Sequence, residues 1–361
     1  MEKELKLMKG NEAIAEAAIR YGADAYFGYP ITPQSEVIEY FMEQNPIERT
    51  GMVVLQAESE VAAINMVYGA AACGMAAMTS SSSPGFSLKQ EGLSYIAGAE
   101  LPCLVLNVVR GGPGLGTIQP SQSDYFQSTK GGGHGDYRLI VLAPASVQEM
   151  YDFVQIGFDL AFKYRNPVLI LSDGIIGQMM EKVEIGPQRV RRTMDEVIKQ
   201  CPWATTGKTA NRERNIITSL DLVASRQEEF NRKLVKKYDT IREKEVRCEC
   251  INCDDADYVF VAYGTSSRLC MKSMDLLRKE GYKVGLVRPI TLFPYPSKII
   301  AGLAERVKGF LTIEMSTGQM VEDVMLAVNG KRPVKHYGRV GGVVPTPEEI
   351  VDAMKNFMKG E

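Results

Sequence analysis

Short apolar runs alternate with longer amphipathic segments along the first half of the chain. Uninterrupted apolar runs are typical of buried parallel strands, whereas the amphipathic segments repeat with a helical period. The runs predict strands over residues 25–28, 52–56, 76–81, 102–109, 138–142 and 167–171. The segments predict helices over residues 11–21, 34–44, 60–73, 87–99 and 146–164. This alternation predicts an α/β fold, a parallel sheet with helices on both faces.

A charged stretch with few repeating apolar positions follows and separates this pattern from a second one. Residues 186–256 are therefore predicted to form a connector or surface excursion, and residues 257–361 a smaller α/β domain. The second pattern contains a strand that starts at Tyr258 and ends in a glycine turn. Further strands are predicted over residues 282–287 and 310–314, and helices over 266–280, 297–306 and 319–328. The predicted division is 1–185, 186–256 and 257–361.

The composition of the chain limits which class of protein it can belong to and which partners it can attract. The chain has 361 residues, of which 45% are hydrophobic and 24% charged, with a formal net charge of −2. This balance is typical of a globular protein and provides no field that would attract nucleic acid or a membrane surface. The sequence has neither the apolar core of a signal peptide nor a run long enough to span a bilayer, so we expect a cytoplasmic protein. Its seven cysteines are then expected to be thiols.

The most informative segment joins the strand at 52–56 to the helix at 60–73. Two carboxylates, Glu58 and Glu60, precede a helix built almost entirely of small and apolar residues. Such a helix is expected to pack against the sheet or against another subunit, because it has no polar face for water. A carboxylate at its start would be shielded and suited to hold or pass a proton. The alternative is that both acids only stabilise the helix through its dipole.

Other candidate residues lie where predicted strands end, which is where α/β folds bind ligands. Thr32 lies between two prolines in the loop after Phe27, where its hydroxyl can face a cleft or act as a helix cap. Arg110 ends the longest apolar strand beside a glycine loop, and its planar fork suits a carboxylate. The alternative for Arg110 is a surface arginine paired with an acid. The serines of residues 80–87 can cradle a polar ligand or form a plain capped turn.

Several common sites are excluded or left open. Gly112, Gly114 and Gly116 do not have the spacing of a dinucleotide fingerprint, so NAD binding is rejected. No nucleophile elbow, P-loop or His-Glu-x-x-His motif occurs, and two histidines exclude a histidine-rich metal site. The cysteines at 248, 250 and 253 are one short of a zinc or iron–sulfur set, so a metal and surface thiols both remain possible there.

Four segments taken together resemble one family: Tyr29-Pro-Ile-Thr-Pro, Gln56-Ala-Glu-Ser-Glu, Ser83-Pro-Gly-Phe-Ser and Val109-Arg-Gly-Gly-Pro-Gly. They look like the α subunit of the 2-oxoacid:ferredoxin oxidoreductases, thiamine diphosphate enzymes that oxidise 2-oxoacids to acyl-CoA. The resemblance covers nearly the whole chain. It implies a pyrimidine-binding domain of the thiamine diphosphate type over 1–185 and a transketolase-C-terminal-like domain over 257–361.

The glycine-rich loops narrow the resemblance to a subgroup. The segment starting at Gly114 (Gly-Leu-Gly-Thr-Ile-Gln-Pro-Ser-Gln-Ser-Asp-Tyr) and the segment 131–137 are most similar to the branched-chain subgroup. This subgroup acts on 3-methyl-2-oxobutanoate (2-ketoisovalerate). A 2-oxoglutarate or pyruvate enzyme is the alternative within the family, and a non-catalytic scaffold of the thiamine fold is the alternative outside it.

The resemblance also implies roles for individual residues. The family's catalytic glutamate precedes a Gly-Ala pair by nine positions, and Gly69 therefore selects Glu60 over Glu58. Glu60 would hydrogen-bond N1′ of the cofactor's aminopyrimidine and so favour the tautomer whose N4′ takes a proton from the thiazolium ring. Thr32 matches the hydroxyl near the substrate carbonyl, and Arg110 the arginine for the substrate carboxylate. The segments imply further cofactor contacts at Tyr29, Pro30, Ile31, Ser83 and Gly85.

One absence implies partners. The family holds Mg²⁺ and the diphosphate with a Gly-Asp-Gly motif, and this chain has none. It also has no iron–sulfur cysteine set, and no metal ligand is predicted in it. The resemblance therefore implies a β subunit that carries the diphosphate site, together with γ and iron–sulfur δ subunits, ferredoxin and CoA. The helix after Glu60 is the predicted contact with the β subunit.

Overall fold

The apolar runs of the first half form the strands of one large sheet. The computed structural model describes residues 4–208 and 213–360. The elements up to residue 185 are β1 (Glu4–Lys9), α1 (Gly10–Tyr21), β2 (Ala25–Gly28), α2 (Ser35–Gln44), α3 (Pro46–Thr50), β3 (Val53–Gln56), α4 (Glu60–Ala72), β4 (Ala77–Ser81), α5 (Ser83–Leu88), α6 (Gln90–Gly98), β5 (Cys103–Val109), α7 (Tyr125–Thr129), β6 (Ile140–Leu142), α8 (Val147–Tyr164), β7 (Pro167–Asp173), α9 (Gly174–Gln178) and β8 (Met180–Ile185).

The remaining elements belong to the charged stretch and the second α/β pattern. They are α10 (Met194–Gln200), α11 (Ala224–Lys244), β9 (Cys248–Ile251), β10 (Tyr258–Val261), α12 (Gly264–Lys279), β11 (Val284–Pro289), β12 (Thr291–Phe293), α13 (Ser297–Ala304), β13 (Gly309–Glu314), α14 (Met320–Val328), β14 (Val334–Gly338) and α15 (Pro347–Lys359). None of the helices in the described ranges is both long and apolar enough to cross a membrane.

The larger sheet has the strand order β12-β6-β7-β5-β4-β2-β3. All neighbouring pairs from β6 to β3 are parallel, and β12 runs antiparallel to β6 at one edge. The predicted parallel sheet is therefore confirmed. Strands β5, β4, β2 and β3 are adjacent and parallel, so their carboxyl ends lie on the same side of the sheet. The loops that carry the candidate residues start at these ends.

The second sheet has the order β14-β13-β10-β11-β9, in which only the β11–β9 pair is antiparallel. Strand β9 precedes residue 257 and yet joins this sheet, whereas β12 follows residue 257 and joins the larger one. Gln122 also links the two parts: its amide donates to the Tyr263 carbonyl at 2.8 Å and accepts from the Met315 amide at 3.0 Å. The division of the chain into 1–185, 186–256 and 257–361 stays a prediction.

Two of the differences from the sequence-based expectation concern helices. The predicted helix 87–99 is wrong at its start, because two helices, α5 and α6, meet at Lys89. Pro84 fits the first turn of α5, where no backbone donor is needed, and the helix therefore begins at Ser83. The charged helix α11 is also less solvated than expected. Its Leu234, Tyr238 and Ile241 are buried in the main core.

Candidate functional site

Glu60 is the first residue of α4 and lies at the carboxyl edge of the sheet. Ser59 caps the helix, and its hydroxyl accepts a hydrogen bond from the Ala62 amide at 3.2 Å. Glu60 is buried, with 6% of its surface exposed, while Glu58 faces solvent. The structure thus separates the two acids. A helix-start acid that served only the dipole would have no need of burial, so the shielded environment predicted for one of them belongs to Glu60.

The Glu60 carboxylate lies against the backbone of Gly85 on α5. A methyl group at Gly85 would collide with Glu60 Oε1 and with the Ser81 hydroxyl. Glycine at this position is therefore what allows the carboxylate and α5 to approach each other. The contact joins the loop after β3 to the loop after β4, as expected from the order of the strands.

Replacing Gly85 with alanine is expected to destabilise the chain by about 1–3 kcal/mol, because the added methyl group overpacks a filled site. The measurement is the free energy of unfolding in urea. Gly302→Ala in α13 is the matched control, because no heavy atom lies within 4 Å of a methyl group there, and it should be no less stable than the wild type. Equal stability of Gly85→Ala and the wild type would contradict the close approach described here.

Arg110 and Thr32 lie on neighbouring loops and are joined directly. The Arg110 guanidinium donates from Nη1 to the Thr32 carbonyl at 2.8 Å and from Nη2 to the Leu115 carbonyl at 3.2 Å. Only 6% of Arg110 is exposed, and no carboxylate pairs with it among the described residues. The surface ion pair considered for Arg110 is therefore wrong. Thr32 is exposed and does not cap α2, whose N-cap residue is Gln34.

Ser83 connects the Arg110 loop to α5. Its hydroxyl donates to Asp124 Oδ2 at 2.7 Å and lies 3.1 Å from the Arg110 amide and 3.2 Å from the Arg110 carbonyl. Asn107 donates to the same Asp124 oxygen at 2.9 Å and accepts from the Ser83 amide at 3.0 Å. Burial raises the pKa of Asp124, and the bonds from Ser83 and Asn107 partly oppose that shift. Contacts therefore run continuously from Glu60 through α5 and Ser83 to Arg110 and Thr32.

Sequence analysis missed Asn107, Asp124 and Gln34. Gln34 is fully buried; its amide donates to the Tyr29 carbonyl at 3.2 Å, and its side-chain oxygen accepts from Ser80 at 2.5 Å. These bonds fix the loop that contains Tyr29, Pro30 and Ile31. The signal for Asn107 was its position as a polar residue inside the apolar strand β5, since a buried amide requires partners. Asp124 and Gln34 gave no such signal, because both lie in polar loops.

Three buried polar atoms at this edge of the sheet have no hydrogen-bond partner among the described residues. They are the hydroxyl oxygens of Ser81 and Ser82 and Nε of Arg110. Buried polar groups are normally paired, so such a group of atoms is unusual outside a binding site. Together with the Glu60 carboxylate they offer both donors and acceptors to a polar ligand.

Lys89 is a further residue that sequence analysis missed. Its side chain is fully buried at the junction of α5 and α6, and Nζ donates to Thr79 Oγ1 at 3.0 Å. Burial lowers the pKa of the ammonium group from 10.5 to about 8, and the Glu60 carboxylate partly opposes this shift. An isolated lysine in a polar segment is typical of a surface residue, so the sequence gave no sign of its burial.

Lys89→Met is expected to remove a rise in stability at alkaline pH. Between pH 8 and 10.5 the folded chain releases the Lys89 proton while the unfolded chain keeps it, so the free energy of unfolding increases with pH. The difference between 10.5 and about 8 corresponds to about 3 kcal/mol. Urea unfolding at intervals across this window should show that gain in the wild type relative to the variant. Parallel curves for the two proteins would contradict it.

The outer face of α4 and the edge strand β3 are apolar and exposed. Val61 and Met66 on α4 are 45% and 37% exposed, and Val53 and Leu55 on β3 are 41% and 40% exposed. Gly69 on α4 has no heavy atom within 4 Å of the position that a methyl group would take. The other face of α4 packs against β2 and β4. The expected packing against the sheet is confirmed for one face, and the second face is left partly exposed.

The cysteines at 248, 250 and 253 lie on and just after β9, at the edge of the second sheet. All seven cysteines are free thiols. Within residues 4–208 and 213–360, no group of three or more His, Cys, Asp or Glu side chains is arranged to hold a metal ion.

Comparisons with known proteins identify the family of this chain. A family model described as pyruvate flavodoxin/ferredoxin oxidoreductase, thiamine diphosphate-binding, matches residues 16–247. A second, pyruvate:ferredoxin oxidoreductase core domain II, matches residues 256–350. The ketoisovalerate oxidoreductase subunit VorB of Methanothermobacter marburgensis is 50% identical over 337 residues, which is 93% of each chain. The 2-oxoglutarate synthase subunit KorA of Archaeoglobus fulgidus is 38% identical and covers 98% of this chain and 99% of its own.

A solved structure extends the similarity to the fold. The 2-oxoglutarate:ferredoxin oxidoreductase from Magnetococcus marinus, with 2-oxoglutarate, coenzyme A and succinyl-CoA bound, superposes with a TM-score of 0.84 at 28% identity. The match covers 98% of this chain, which spans 65% of the length of that longer chain. The resemblance seen in the sequence motifs is confirmed: the chain belongs to the pyruvate flavodoxin/ferredoxin oxidoreductase family of thiamine diphosphate-binding proteins.

Proposed function

We propose that this chain is the subunit of a 2-oxoacid:ferredoxin oxidoreductase that contributes Glu60, Thr32 and Arg110 to a site shared with a partner. The reaction is the oxidative decarboxylation of a 2-oxoacid to acyl-CoA, with electrons passed to ferredoxin. The observation that carries the proposal is the buried Glu60 carboxylate against Gly85, joined by contacts to the Arg110 and Thr32 loops.

The residues present fit the aminopyrimidine half of thiamine diphosphate. Glu60 would bond the ring nitrogen N1′, while the unpaired hydroxyls of Ser81 and Ser82 supply donors nearby. Gly85 lets α5 approach the carboxylate closely, and Ser83 together with the Tyr29–Pro30–Ile31 backbone would border the ring. When bound, the cofactor supplies the nucleophilic carbon and the electron sink of the decarboxylation. The role of this chain is to orient the ring and to share a proton at N1′.

Arg110 and Thr32 would bind the substrate. The Arg110 guanidinium is buried, and its Nε has no partner among the described residues, so a substrate carboxylate can complete its hydrogen bonding. The exposed Thr32 hydroxyl lies on the loop that Arg110 fixes and would reach the 2-oxo group. We propose 3-methyl-2-oxobutanoate and related branched-chain acids as substrates, on the basis of the glycine-rich loops and the 50% identity to a ketoisovalerate oxidoreductase subunit. The 38% identity to a 2-oxoglutarate synthase subunit makes 2-oxoglutarate the second candidate.

The test is to co-purify the chain with the products of its neighbouring genes and to assay a panel of 2-oxoacids with CoA and a viologen acceptor. The expected result is turnover that is highest with 3-methyl-2-oxobutanoate and absent without the partner. Turnover of the isolated chain would contradict the shared site, and a preference for 2-oxoglutarate would replace the proposed substrate. A complex with full turnover after Glu60→Ala would support the scaffold alternative.

We propose that a β subunit, which holds the diphosphate and Mg²⁺, docks on the exposed apolar face of α4 and on β3. Val61, Asn65 and Gly69 recur every four residues on this face, and the lack of a side chain at Gly69 allows close approach. γ and iron–sulfur δ subunits would complete the route to ferredoxin in the cytoplasm.

Met66→Glu is therefore expected to weaken the complex with the partner at least tenfold, because it places a charge in an apolar contact. The dissociation constant, measured by analytical ultracentrifugation, provides the test. Met325→Glu on α14 is the control, since Met325 is also half-exposed and lies on a different element. Equal affinity of the two variants would place the interface elsewhere.

A further inference from the structure

Arg110 and Pro120 are the two ends of a short hairpin, the Arg110 hairpin. They form an antiparallel bridge, and next to it the Gly111 amide donates to the Gln119 carbonyl at 2.9 Å. The guanidinium donates from Nη2 to the Leu115 carbonyl near the tip of the same hairpin, at 3.2 Å. The direction in which Arg110 presents its donors therefore depends on the position of the hairpin.

The second sheet holds the base of the Arg110 hairpin. Just after the hairpin, the buried Gln122 donates from its amide nitrogen to the Met315 carbonyl at 2.9 Å and accepts from the Met315 amide at 3.0 Å. Met315 directly follows β13. At the tip, Gly112 and Gly114 are exposed, and a methyl group on either would meet no heavy atom within 4 Å. The base is thus fixed, whereas the tip has open space around it.

A glycine turn beside the second sheet contacts the hairpin close to Arg110. The turn consists of Gly341 and Gly342 and follows β14, the strand next to β13. A methyl group on Gly342 would lie 2.4 Å from Gln119 Cβ, and one on Gly111 would lie 3.1 Å from the Gly342 amide nitrogen. Only a residue without a side chain allows two backbones to approach so closely.

We propose that Gly342 is a positioning residue for the 2-oxoacid, because its turn holds the Arg110 hairpin where the guanidinium can bind the substrate carboxylate. The inference rests on the proposed function, which assigns Arg110 to the substrate. Gly342 acts through Gln119, which pairs with Gly111 directly beside Arg110. A side chain at position 342 would push this pair aside, and a small misplacement of a binding group is enough to weaken substrate binding.

The test is steady-state kinetics of the reconstituted complex that carries Gly342→Ala. We expect KM for the preferred 2-oxoacid to rise about tenfold while kcat changes by less than about twofold, because the contact affects binding and not the chemical step. The affinity for thiamine diphosphate should stay the same, since the hairpin is assigned to the substrate and not to the ring.

Gly341→Ala is the matched control. Gly341 and Gly342 both have a left-handed backbone, with φ of 66° and 93°, so alanine is strained at either position. At Gly341, however, a methyl group would meet no heavy atom within 4 Å. We expect Gly341→Ala to keep the wild-type KM. The same KM in the two variants would overturn the inference, because the contact with Gln119 would then have no effect of its own.

A second-site change tests whether the effect passes through Gln119. Gln119→Gly removes the Cβ atom that a methyl group at position 342 would meet, so adding Gly342→Ala to it should raise KM no further. A tenfold difference between the double variant and Gln119→Gly would overturn the inference. The comparison also holds if Gly342→Ala alone does not fold, because the double variant must then recover both the fold and the KM of Gln119→Gly.

Arg110→Lys separates failure of this inference from failure of the proposed function. If Gly342 acts through Arg110, adding Gly342→Ala to Arg110→Lys should raise KM by less than about twofold. A wild-type KM in Arg110→Lys would overturn the substrate role of Arg110 and with it the proposed function of this site. A raised KM in Arg110→Lys together with a wild-type KM in Gly342→Ala would overturn only the inference.

Discussion

Glu60→Gln is expected to lower the kcat of the reconstituted enzyme by about 10²–10⁴-fold, because an amide cannot take or return the proton at N1′. The amide keeps the size of the side chain, so the contact with Gly85 and the capped start of α4 remain. Stopped-flow measurement of viologen reduction with saturating 2-oxoacid and CoA isolates kcat from substrate binding.

Glu58→Gln is the control for this variant. Glu58 lies two residues earlier, is exposed, and accepts a hydrogen bond from the Ser59 hydroxyl at 2.9 Å. It carries the same charge near the same helix start, so any effect through the helix dipole would appear in both variants. We expect near wild-type kcat for Glu58→Gln. Similar losses in the two variants would mean that the dipole, and not proton transfer, explains the effect of Glu60.

Arg110→Lys is expected to reduce kcat/KM for the 2-oxoacid by about 10–100-fold, mainly through KM, because lysine keeps the charge but loses the planar pair of donors. The corresponding loss of about 1.4–2.7 kcal/mol is in the range for a charge-assisted hydrogen bond. The affinity for thiamine diphosphate should be unchanged, since Arg110 is assigned to the substrate and not to the ring. Steady-state kinetics and cofactor titration on one preparation test both statements.

Arg110 also holds the Thr32 loop, so a control is needed for the structural part of its effect. Arg138 is suitable, because its guanidinium likewise donates to backbone carbonyls, those of Tyr137 at 2.9 Å and Lys130 at 3.2 Å, on a loop outside the candidate site. Arg138→Lys should leave KM unchanged. If Arg110→Lys lowered only the melting temperature and not kcat/KM, the substrate role would be wrong.

The periodicity of apolar residues was sufficient to predict the parallel sheet. It did not predict the elements whose formation or burial depends on tertiary packing. Both ends of strand β2 (Ala25–Gly28) were predicted correctly, because its apolar run ends at a glycine. The pair β1 and β8 was missed, since both strands are rich in charge and bury only a small cluster that includes Met8, Val183 and Ile185. The buried face of α11 followed the spacing 234, 238 and 241, but the charged residues around it obscured that signal.

The candidate site was predictable where a residue type is unusual for its position. Glu60 at the start of an apolar helix and Arg110 at the end of an apolar strand were identified for this reason. In the structure both contact the same group of loops. Lys89 was not predictable, because its burial depends on where α5 and α6 meet. That junction is set by tertiary contacts that no local pattern records.

Strand β12 has a consequence for how the subunit is made. Its residues pair with β6, so the outer edge of β6 has no partner until Thr291–Phe293 has left the ribosome. An open strand edge is a template for pairing with foreign chains. The nascent protein therefore contains every residue of the candidate site well before its larger sheet can be completed.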